Sequence, residues 1–162
     1  MFKHILVPTD GSEFSKEVTR RAVKFAKEAG AQITALYARP PFRVVNYSND
    51  MLAHVANVQT FKAEQFEEQA EAKAQSLLGF IERMCKESGV SCEKLSPVSD
   101  DPYKAIIDAA EQSNCDLIFM ASHGRKGLQG FLLGSETQKV LTHSTIPVLV
   151  YRPPRLPTDK VI

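Results

Sequence analysis

The sequence predicts a single α/β domain in which a five-stranded parallel sheet carries helices on both faces. Two observations predict it: short apolar segments alternate with longer segments of helical periodicity, and the apolar segments are continuous runs. Strands that alternate with helices form parallel sheets with right-handed crossovers, and strands covered on both faces are apolar throughout. We expect residues 1–152 to form this doubly wound domain and residues 153–162, a proline-broken tail, to be frayed.

The predicted elements follow one another in the order β-α-β-α-β-α-β-α-β. Strands are predicted where the apolar runs lie, at 4–7 (HILV), 33–38 (ITALYA), 90–98, 116–121 (DLIFMA) and 147–151 (PVLVY). Helices are predicted where apolar residues recur every three or four positions, at 12–29, about 59–88, 101 onward and 135–143. Ser12 and Asp101 are the expected N-caps, Gly30 is the expected stop of the first helix, and residues 39–57 are expected to form an irregular loop.

The order of the strands decides where a ligand would bind. Ligands of doubly wound sheets bind beyond the carboxyl ends of the strands, where the winding reverses. Two orders are common, 2-1-3-4-5 and 3-2-1-4-5, and in both the reversal lies beside strand one. We predict 3-2-1-4-5, in which strand four neighbours strand one. The turn Pro8-Thr9-Asp10 and the glycine-rich segment after strand four would then line one crevice.

Composition limits the cellular compartments and the classes of partner that we expect for this protein. The 162-residue chain has 43% hydrophobic and 24% charged residues and a formal net charge of +1, which gives no electrostatic basis for binding nucleic acid or an anionic membrane. No apolar run reaches the about 18 residues of a membrane span, and the N-terminal run is too short for a signal peptide. We therefore expect a cytoplasmic protein.

The cysteines and histidines give no pattern typical of a metal site. The three cysteines lack a CxxC spacing, and the four histidines are scattered along the chain. We expect reduced thiols that serve as packing groups, with a regulatory thiol as the alternative, and no bound metal.

The segment MASHGRKGLQGFLLGSETQ, residues 120–138, holds four of the eight glycines. It contains no GxxxxGK[ST] phosphate loop, and its first three glycines are spaced GxxGxxG and not GxGxxG. Glycines nonetheless let backbone N–H groups converge on an anion, and Gly134-Ser135 begins a helix, whose free N–H groups and dipole favour phosphate. The alternative is local, because Ser135 and Gln138 match an S-x-x-Q capping box that needs no ligand.

The same segment resembles the signature of the universal stress protein family, G-x-x-G, nine residues, then G-[ST]. Gly124, residues 125–133 and Gly134-Ser135 have that spacing, while HILVPTDGS and TIPVLVYR resemble the family's first and last strands. The resemblance covers nearly the whole chain and implies a Rossmann-like fold and, in the ATP-binding branch, an ATP site. The first glycine of the pattern is Ala121 here, which would lower the affinity if that backbone needs a positive φ.

The resemblance also implies which residues surround ATP. Those near adenine and ribose would be Pro8, Thr9, Asp10 and Ala38, and those near ribose and phosphates Met120, Ala121, His123, Gly124, Gly134, Ser135, Glu136 and Thr137. The Glu136 carboxylate would repel a phosphate unless it pointed away or shared a cation such as Mg²⁺. For Asp10 the alternative role is to cap the following helix.

Several functions are compatible with this sequence. We favour a cytoplasmic ATP-binding stress-response or regulatory protein that acts through nucleotide-dependent conformation or partner binding, with little catalysis. No residue is an obvious general base, and Ser122-His123 lacks a GxSxG elbow and an acid partner. The alternatives are a dimeric interaction module of the same fold without nucleotide, a slow ATPase and, least favoured, an adenylate-forming enzyme.

We expect a second protein chain to bind at the edge of the sheet. The last predicted strand, PVLVY, is apolar and would form a sheet edge, which favours pairing with a second copy in a homodimer. An unknown regulatory protein is the other expected partner.

Overall fold

The computed structural model describes residues 1–43, 52–123, 133–152 and 154, with the backbone alone for 52–60. The predicted tail 153–162, apart from Pro154, lies outside these residues, as do Gly124 and residues 125–132 of the glycine-rich segment. The strands in the described part of the chain are β1 (His4–Pro8), β2 (Gln32–Leu36), β3 (Cys92–Leu95), β4 (Leu117–Ala121) and β5 (Val148–Tyr151). The helices there are α1 (Glu13–Ala29), α2 (Leu52–Ser88), α3 (Pro102–Gln112) and α4 (Ser135–His143).

The five strands form one parallel sheet in the order β3-β2-β1-β4-β5. This confirms the predicted fold class and strand order. The chain winds outward from β1 to β3 and then returns to the other side of β1, so the winding reverses between β1 and β4. The ends of β1 and β4 are therefore neighbours at the edge of the sheet where ligands of such folds bind.

The central strands β1 and β4 are almost entirely apolar because each face of the sheet there is covered by a different pair of helices. One core cluster joins Ile5 and Val7 of β1 to the buried faces of α1 and α2. The other cluster joins Leu6, between them in β1, to α3 and Val140 of α4. Alternate residues of a strand point to opposite faces, so a strand buried on both faces has no polar position.

The boundaries of two predicted elements were wrong. Helix α2 begins at Leu52, inside the segment that we expected to be irregular, because residues 52–58 contain no glycine or proline to stop a helix. Strand β3 is limited to Cys92–Leu95 and is shorter than the predicted 90–98. Beyond it, the chain keeps only an isolated bridge from Val98 to Arg39, which extends the β2–β3 edge past the strand ends.

The predicted cap residues of α1 are confirmed. At the start of α3, the capping bond that we expected from the Asp101 side chain is not formed. Ser12 caps α1 by accepting the N–H of Ser15, and Gly30 ends the helix in the left-handed conformation. Asp101 occupies the N-cap position of α3, but its side chain makes no capping bond and instead pairs with Lys104 at 3.1 Å. No described helix combines the length and apolarity that crossing a bilayer would require.

Replacing either of two glycines that have open space around them by alanine should change the free energy of unfolding, but in opposite directions. Gly30 has a φ of +65° and Gly79 lies inside α2, and a Cβ at either position would meet nothing within 4 Å. Gly30→Ala should lower the free energy of unfolding by about 1 kcal/mol, because alanine disfavours left-handed backbone. Gly79→Ala should raise it by ~0.5–1 kcal/mol, because glycine is a poor helix former. Urea denaturation measures both, and an equal response would contradict the backbone assignment.

Candidate functional site

A crevice opens where β1 and β4 separate. The register pairs β1 with β2 as far as Pro8, whereas β1 and β4 pair only at Ile5 and Leu6. Beyond the strand, the N–H of Thr9 still donates to the carbonyl of Leu36 at 2.9 Å, which holds the turn after β1 against β2. The ends of β1 and β4 therefore diverge, and the space between them is the point at which the winding reverses.

Most of the predicted site residues line one cavity at this crevice. The cavity has a volume of about 910 Å³, which is within the usual range for a small-molecule site. Eleven of the twelve predicted residues line it, namely Pro8, Thr9, Asp10, Ala38, Met120, Ala121, His123, Gly134, Ser135, Glu136 and Thr137. The twelfth, Gly124, lies outside the described residues. The structure thus brings the predicted residues together, while their contact with a nucleotide stays a prediction.

The turn after β1 is held by a chain of side-chain hydrogen bonds. One carboxylate oxygen of Asp10 accepts the Ser12 N–H at 2.9 Å and the Ser12 hydroxyl at 2.6 Å. The Ser12 hydroxyl in turn accepts the N–H of Ser15 at 3.1 Å and so caps α1. The hydroxyls of Ser15 and Thr9 are 2.7 Å apart. Asp10 therefore supports the cap of α1 through Ser12, and the same bonds fix its carboxylate at the wall of the cavity.

Two bonds fix the start of α4 against the end of β4. The N–H of Gly134 donates to the carbonyl of Ser122 at 2.7 Å, and the hydroxyl of Thr137 donates to the carbonyl of Ala121 at 2.9 Å. A Cβ on Gly134 would lie 3.0 Å from the Cα of His123, so any larger residue would require this backbone to shift, and glycine suits the close approach. The Gly134 amide and the Thr137 hydroxyl are engaged in these contacts, so neither is free to hold an anion.

The first turn of α4 lines the cavity with residues whose backbone amides lack a partner within the helix. Gly134 is the N-cap residue and Ser135 the first helical residue, so the capping box that we weighed for Ser135 is wrong. The amide of Gln138 that such a box would use donates to the carbonyl of Gly134 at 3.0 Å. The N–H groups of Ser135, Glu136 and Thr137 have no acceptor inside the helix, and the helix dipole makes this end positive.

The Glu136 carboxylate is directed toward α3. Its Oε2 accepts the N–H of Tyr103 at 2.9 Å, and its Oε1 lies 3.5 Å from the Lys139 ammonium. Glu136 thus supplies the capping bond that Asp101 does not make. Because two donors hold this carboxylate, its negative charge is directed at the start of α3 and is partly balanced there.

Two further predicted residues lie at the end of β4 and shortly after it. Ala121 has extended backbone, and His123 has a ring that stacking holds in place. Ala121 is the last residue of β4, paired with Tyr151, and Asn114 is the one described non-glycine residue with a positive φ. Alanine at 121 therefore costs no backbone strain. The His123 ring stacks on Phe14 with centroids 4.2 Å apart and planes 10° apart, and its Nδ1 lies 3.1 Å from the Ser122 hydroxyl.

The cavity is also lined by nine residues that were not predicted as site residues: Ser15, Leu36, Tyr37, Pro40, Lys73, Pro102, Ile106, Leu133 and Gln138. Leu36, Tyr37 and Pro40 flank the predicted Ala38 and could have been found by extending the end of β2. Pro102 and Ile106 reach the cavity because α3 packs beside α4. Lys73 is an exposed lysine of α2 without a distinguishing sequence signal, and it brings a positive charge to the wall.

The cavity has an apolar part and a polar part. Leu36, Ile106 and Met120 supply an apolar wall, and the carboxylate of Asp10 and the amide-bearing start of α4 supply polar groups of opposite sign. Such a site can hold a ligand with a flat apolar end and an anionic end. The described residues contain no group of three or more histidine, cysteine, aspartate or glutamate side chains placed to bind a metal.

The bond from Thr137 to Ala121 should be essential to the junction of β4 and α4. Thr137 is buried, with 3% exposure, so Thr137→Val keeps the volume but leaves a buried carbonyl without its donor. We expect the free energy of unfolding to fall by about 1–3 kcal/mol. The control is Thr142→Val in the same helix, where an exposed hydroxyl bonds its own helix at 2.8 Å and the loss should be under about 0.5 kcal/mol. Equal losses in urea denaturation would contradict this role.

Comparison with known proteins agrees with this architecture. The model of the universal stress protein family matches residues 1–152. Universal stress protein MJ0531 of Methanocaldococcus jannaschii is 33% identical over 157 residues, which cover 96% of this chain and 85% of that protein. The solved structure of the hypothetical protein MJ0577 of the same organism has a TM-score of 0.76 at 26% identity and covers 96% of this chain and 99% of its own.

Two further solved neighbours contain adenine nucleotides. A universal stress protein in complex with cAMP has a TM-score of 0.65 at 24% identity and covers 93% of this chain and 97% of its own. A family protein from Arabidopsis thaliana with AMP bound has a TM-score of 0.62 at 19% identity and covers 91% and 90%. At these identities the likeness establishes the fold. With a family model that matches nearly its whole length and a relative one-third identical, the chain belongs to the universal stress protein family.

Proposed function

We propose that this protein binds ATP, together with Mg²⁺, in the cavity between the ends of β1 and β4. The observation that carries the proposal is the start of α4, because residues at the positive end of this helix line the same cavity as the carboxylate of Asp10. The neighbours solved with cAMP and AMP support an adenine nucleotide as the ligand class. The triphosphate is the finer part of the proposal, and the anionic preference of the α4 start supports it.

The orientation of the nucleotide follows from the division of the cavity. The adenine would lie on the apolar wall of Leu36, Ile106 and Met120, where the backbone at Ala38 can bond the base edge. The Asp10 carboxylate would accept ribose hydroxyls, because a carboxylate accepts and does not donate. The phosphates would then reach the start of α4.

Two charged residues of the cavity wall, Glu136 and Lys73, are compatible with this orientation. Glu136 does not oppose it, since its carboxylate is bound to the Tyr103 amide. The exposed ammonium of Lys73 on another wall adds to the attraction for an anion. Mg²⁺ would enter with the phosphates and take most of its ligands from them and from water.

The proposed role is that of a cytoplasmic stress-response regulator that acts through its nucleotide-bound conformation or a protein partner, with little catalysis. Asp10, the carboxylate at the turn after β1, is held by two bonds from Ser12, which makes it a better hydrogen-bond acceptor for ribose than a mobile base for water. Slow ATP hydrolysis is the alternative, and phosphate release by purified protein at saturating Mg-ATP distinguishes the two. The non-nucleotide interaction module predicts no saturable uptake of ATP at millimolar concentration.

A proline at the first position of α4 tests the amide contact directly. Ser135→Pro removes one N–H that has no helical acceptor, and proline suits this position because Gly134 before it has a ψ of 154°. We expect ATP affinity to fall at least about tenfold, the value of a charge-assisted hydrogen bond, with thermal stability retained. Ser135→Ala removes only the hydroxyl and should bind like the wild type. Isothermal titration with ATP, ADP and AMP measures the effect.

The titrations separate the possible failures. Saturable ATP binding that is equal in both variants would place the phosphates elsewhere in the cavity. Binding that does not weaken from ATP to ADP to AMP would contradict a phosphate contact at α4. Absence of any binding to the folded wild type would reject the ATP proposal altogether.

The edge of the sheet supports a homodimer through β5. In the described part of the chain β5 is the last strand of the sheet, and its residues are only partly buried. The carbonyls of Pro147 and Tyr151 accept N–H groups from β4 at 2.9 and 3.0 Å. The intervening Val148 and Val150 therefore direct their N–H and carbonyl groups outward, because alternate residues of a strand bond opposite neighbours. These groups can pair with β5 of a second copy.

Val150→Pro should separate such a dimer without disturbing β4. Proline removes one outward N–H and is tolerated at a sheet edge, whereas Val150→Ala keeps the N–H and is the control. At micromolar concentration, sedimentation equilibrium should give a single 18.0 kDa species for the proline variant and twice that mass for the wild type and the control. A wild type that sediments as a monomer would reject the dimer.

A further inference from the structure

Two cysteines lie side by side at the end of α2 and the start of β3. Cys85 is one turn before the end of α2 and is fully buried, with 0% exposure. Cys92 is the first residue of the edge strand β3, is partly exposed, and packs against the same core cluster as Cys85. The N–H of Val90 donates to the carbonyl of Cys85 at 2.8 Å, which fixes the turn between the two. The fold thus joins a solvent-accessible thiol to a buried one.

The two thiols differ in acidity because of the hydrogen bonding between them. Hydrogen bonding with Cys85 holds the pKa of the Cys92 thiol below its ordinary value, and the Cys92 Sγ also lies 3.6 Å from the Glu93 carbonyl. Hydrogen bonding with Cys92, together with burial, holds the pKa of Cys85 well above its ordinary value. The charged groups beside Cys92 are Glu82, which opposes the thiolate, and Lys94, which favours it, and these two pair with each other. The thiolate, the reactive form of cysteine, therefore develops first on the accessible partner.

We propose that Cys92 is a site of oxidation by hydrogen peroxide and that Cys85 resolves it as an intramolecular disulfide. The Cys92 thiolate attacks one peroxide oxygen, the O–O bond breaks, and the hydroxide that leaves takes up a proton to give water and Cys92 sulfenic acid. The Cys85 sulfur then attacks the Cys92 sulfur, the S–O bond breaks, and the leaving oxygen takes the Cys85 proton as a second water. One peroxide and two thiols thus give one disulfide and two waters.

The third cysteine provides an internal control. Cys115 is buried in the other core cluster, and burial raises its pKa to about 11. It lies on the opposite face of the sheet from Cys85 and has neither an acidic shift nor a thiol partner among the residues of its cluster. Oxidation should therefore leave Cys115 reduced under conditions that link Cys85 to Cys92.

The test is thiol counting and peptide mapping after oxidation. Reduced, full-length protein is treated with hydrogen peroxide, quenched with an alkylating agent, and analysed by intact and peptide mass spectrometry. We expect the loss of two hydrogen atoms, a linked pair of peptides containing Cys85 and Cys92, and one free thiol, Cys115. Retention of all three thiols, a disulfide between two chains, or oxidation of Cys115 at the rate of Cys92 would overturn the proposal.

Single variants separate the two roles. In Cys85→Ser, Cys92 should still react, and its sulfenic acid should be captured by dimedone, since no resolving thiol remains. In Cys92→Ser, oxidation of Cys85 should slow at least about tenfold, because a buried protonated thiol is a poor nucleophile. Cys115→Ser should behave as the wild type. Equal oxidation rates of Cys85 in the wild type and in Cys92→Ser would contradict the order of the two steps.

Discussion

The contact between the end of β4 and the start of α4 is the constraint on which the cavity depends. Two bonds at 2.7 and 2.9 Å, from Gly134 to Ser122 and from Thr137 to Ala121, dock the helix on the strand. The docking favours a glycine at 134, since a Cβ there would press on the backbone of His123. It also consumes one amide and one hydroxyl, and it leaves the next amides of the helix directed into the crevice. The glycine of the family signature thus acts through packing, and the neighbouring amides are the groups that we propose to bind the phosphates.

The distribution of charge in the site depends on which groups accept hydrogen bonds from the backbone N–H groups at the starts of α1, α3 and α4. The start of α1 uses the Ser12 hydroxyl, which the Asp10 carboxylate holds in place, and the start of α3 uses the Glu136 carboxylate. Each acidic residue near the cavity is therefore engaged at a positive helix end. The start of α4 has a glycine N-cap without a side-chain acceptor. Among the described residues no side chain caps this helix end, so an external anion can meet its need for an acceptor.

Sequence reasoning recovered the features that depend on local pattern. Continuous apolar runs and helical stripes predict the fold. The topology brings Pro8, Thr9 and Asp10 to the crevice beside the segment after β4, whereas Met120 was named only through the family resemblance. Sequence reasoning missed features that depend on packing between distant segments. The bond from Glu136 to the Tyr103 amide joins positions 33 residues apart, and the stack of His123 on Phe14 uses a residue that periodicity alone places in the core. The S-x-x-Q pattern failed because the glycine one residue earlier already provides the N-cap.

Helix α2 connects the cavity between β1 and β4 to the cysteine pair. Lys73 lies at the cavity wall and Cys85 near the other end of the helix, roughly 18 Å away at 1.5 Å per residue. Because both cysteines pack in the same core cluster, and the Val90 N–H bond to Cys85 fixes the turn between them, we expect a disulfide between them to require little displacement of α2. Oxidation would therefore act on the cavity by restricting the motion of the helix rather than by moving Lys73. Such coupling changes affinity through conformational entropy, and it favours the ligand only if binding also orders α2.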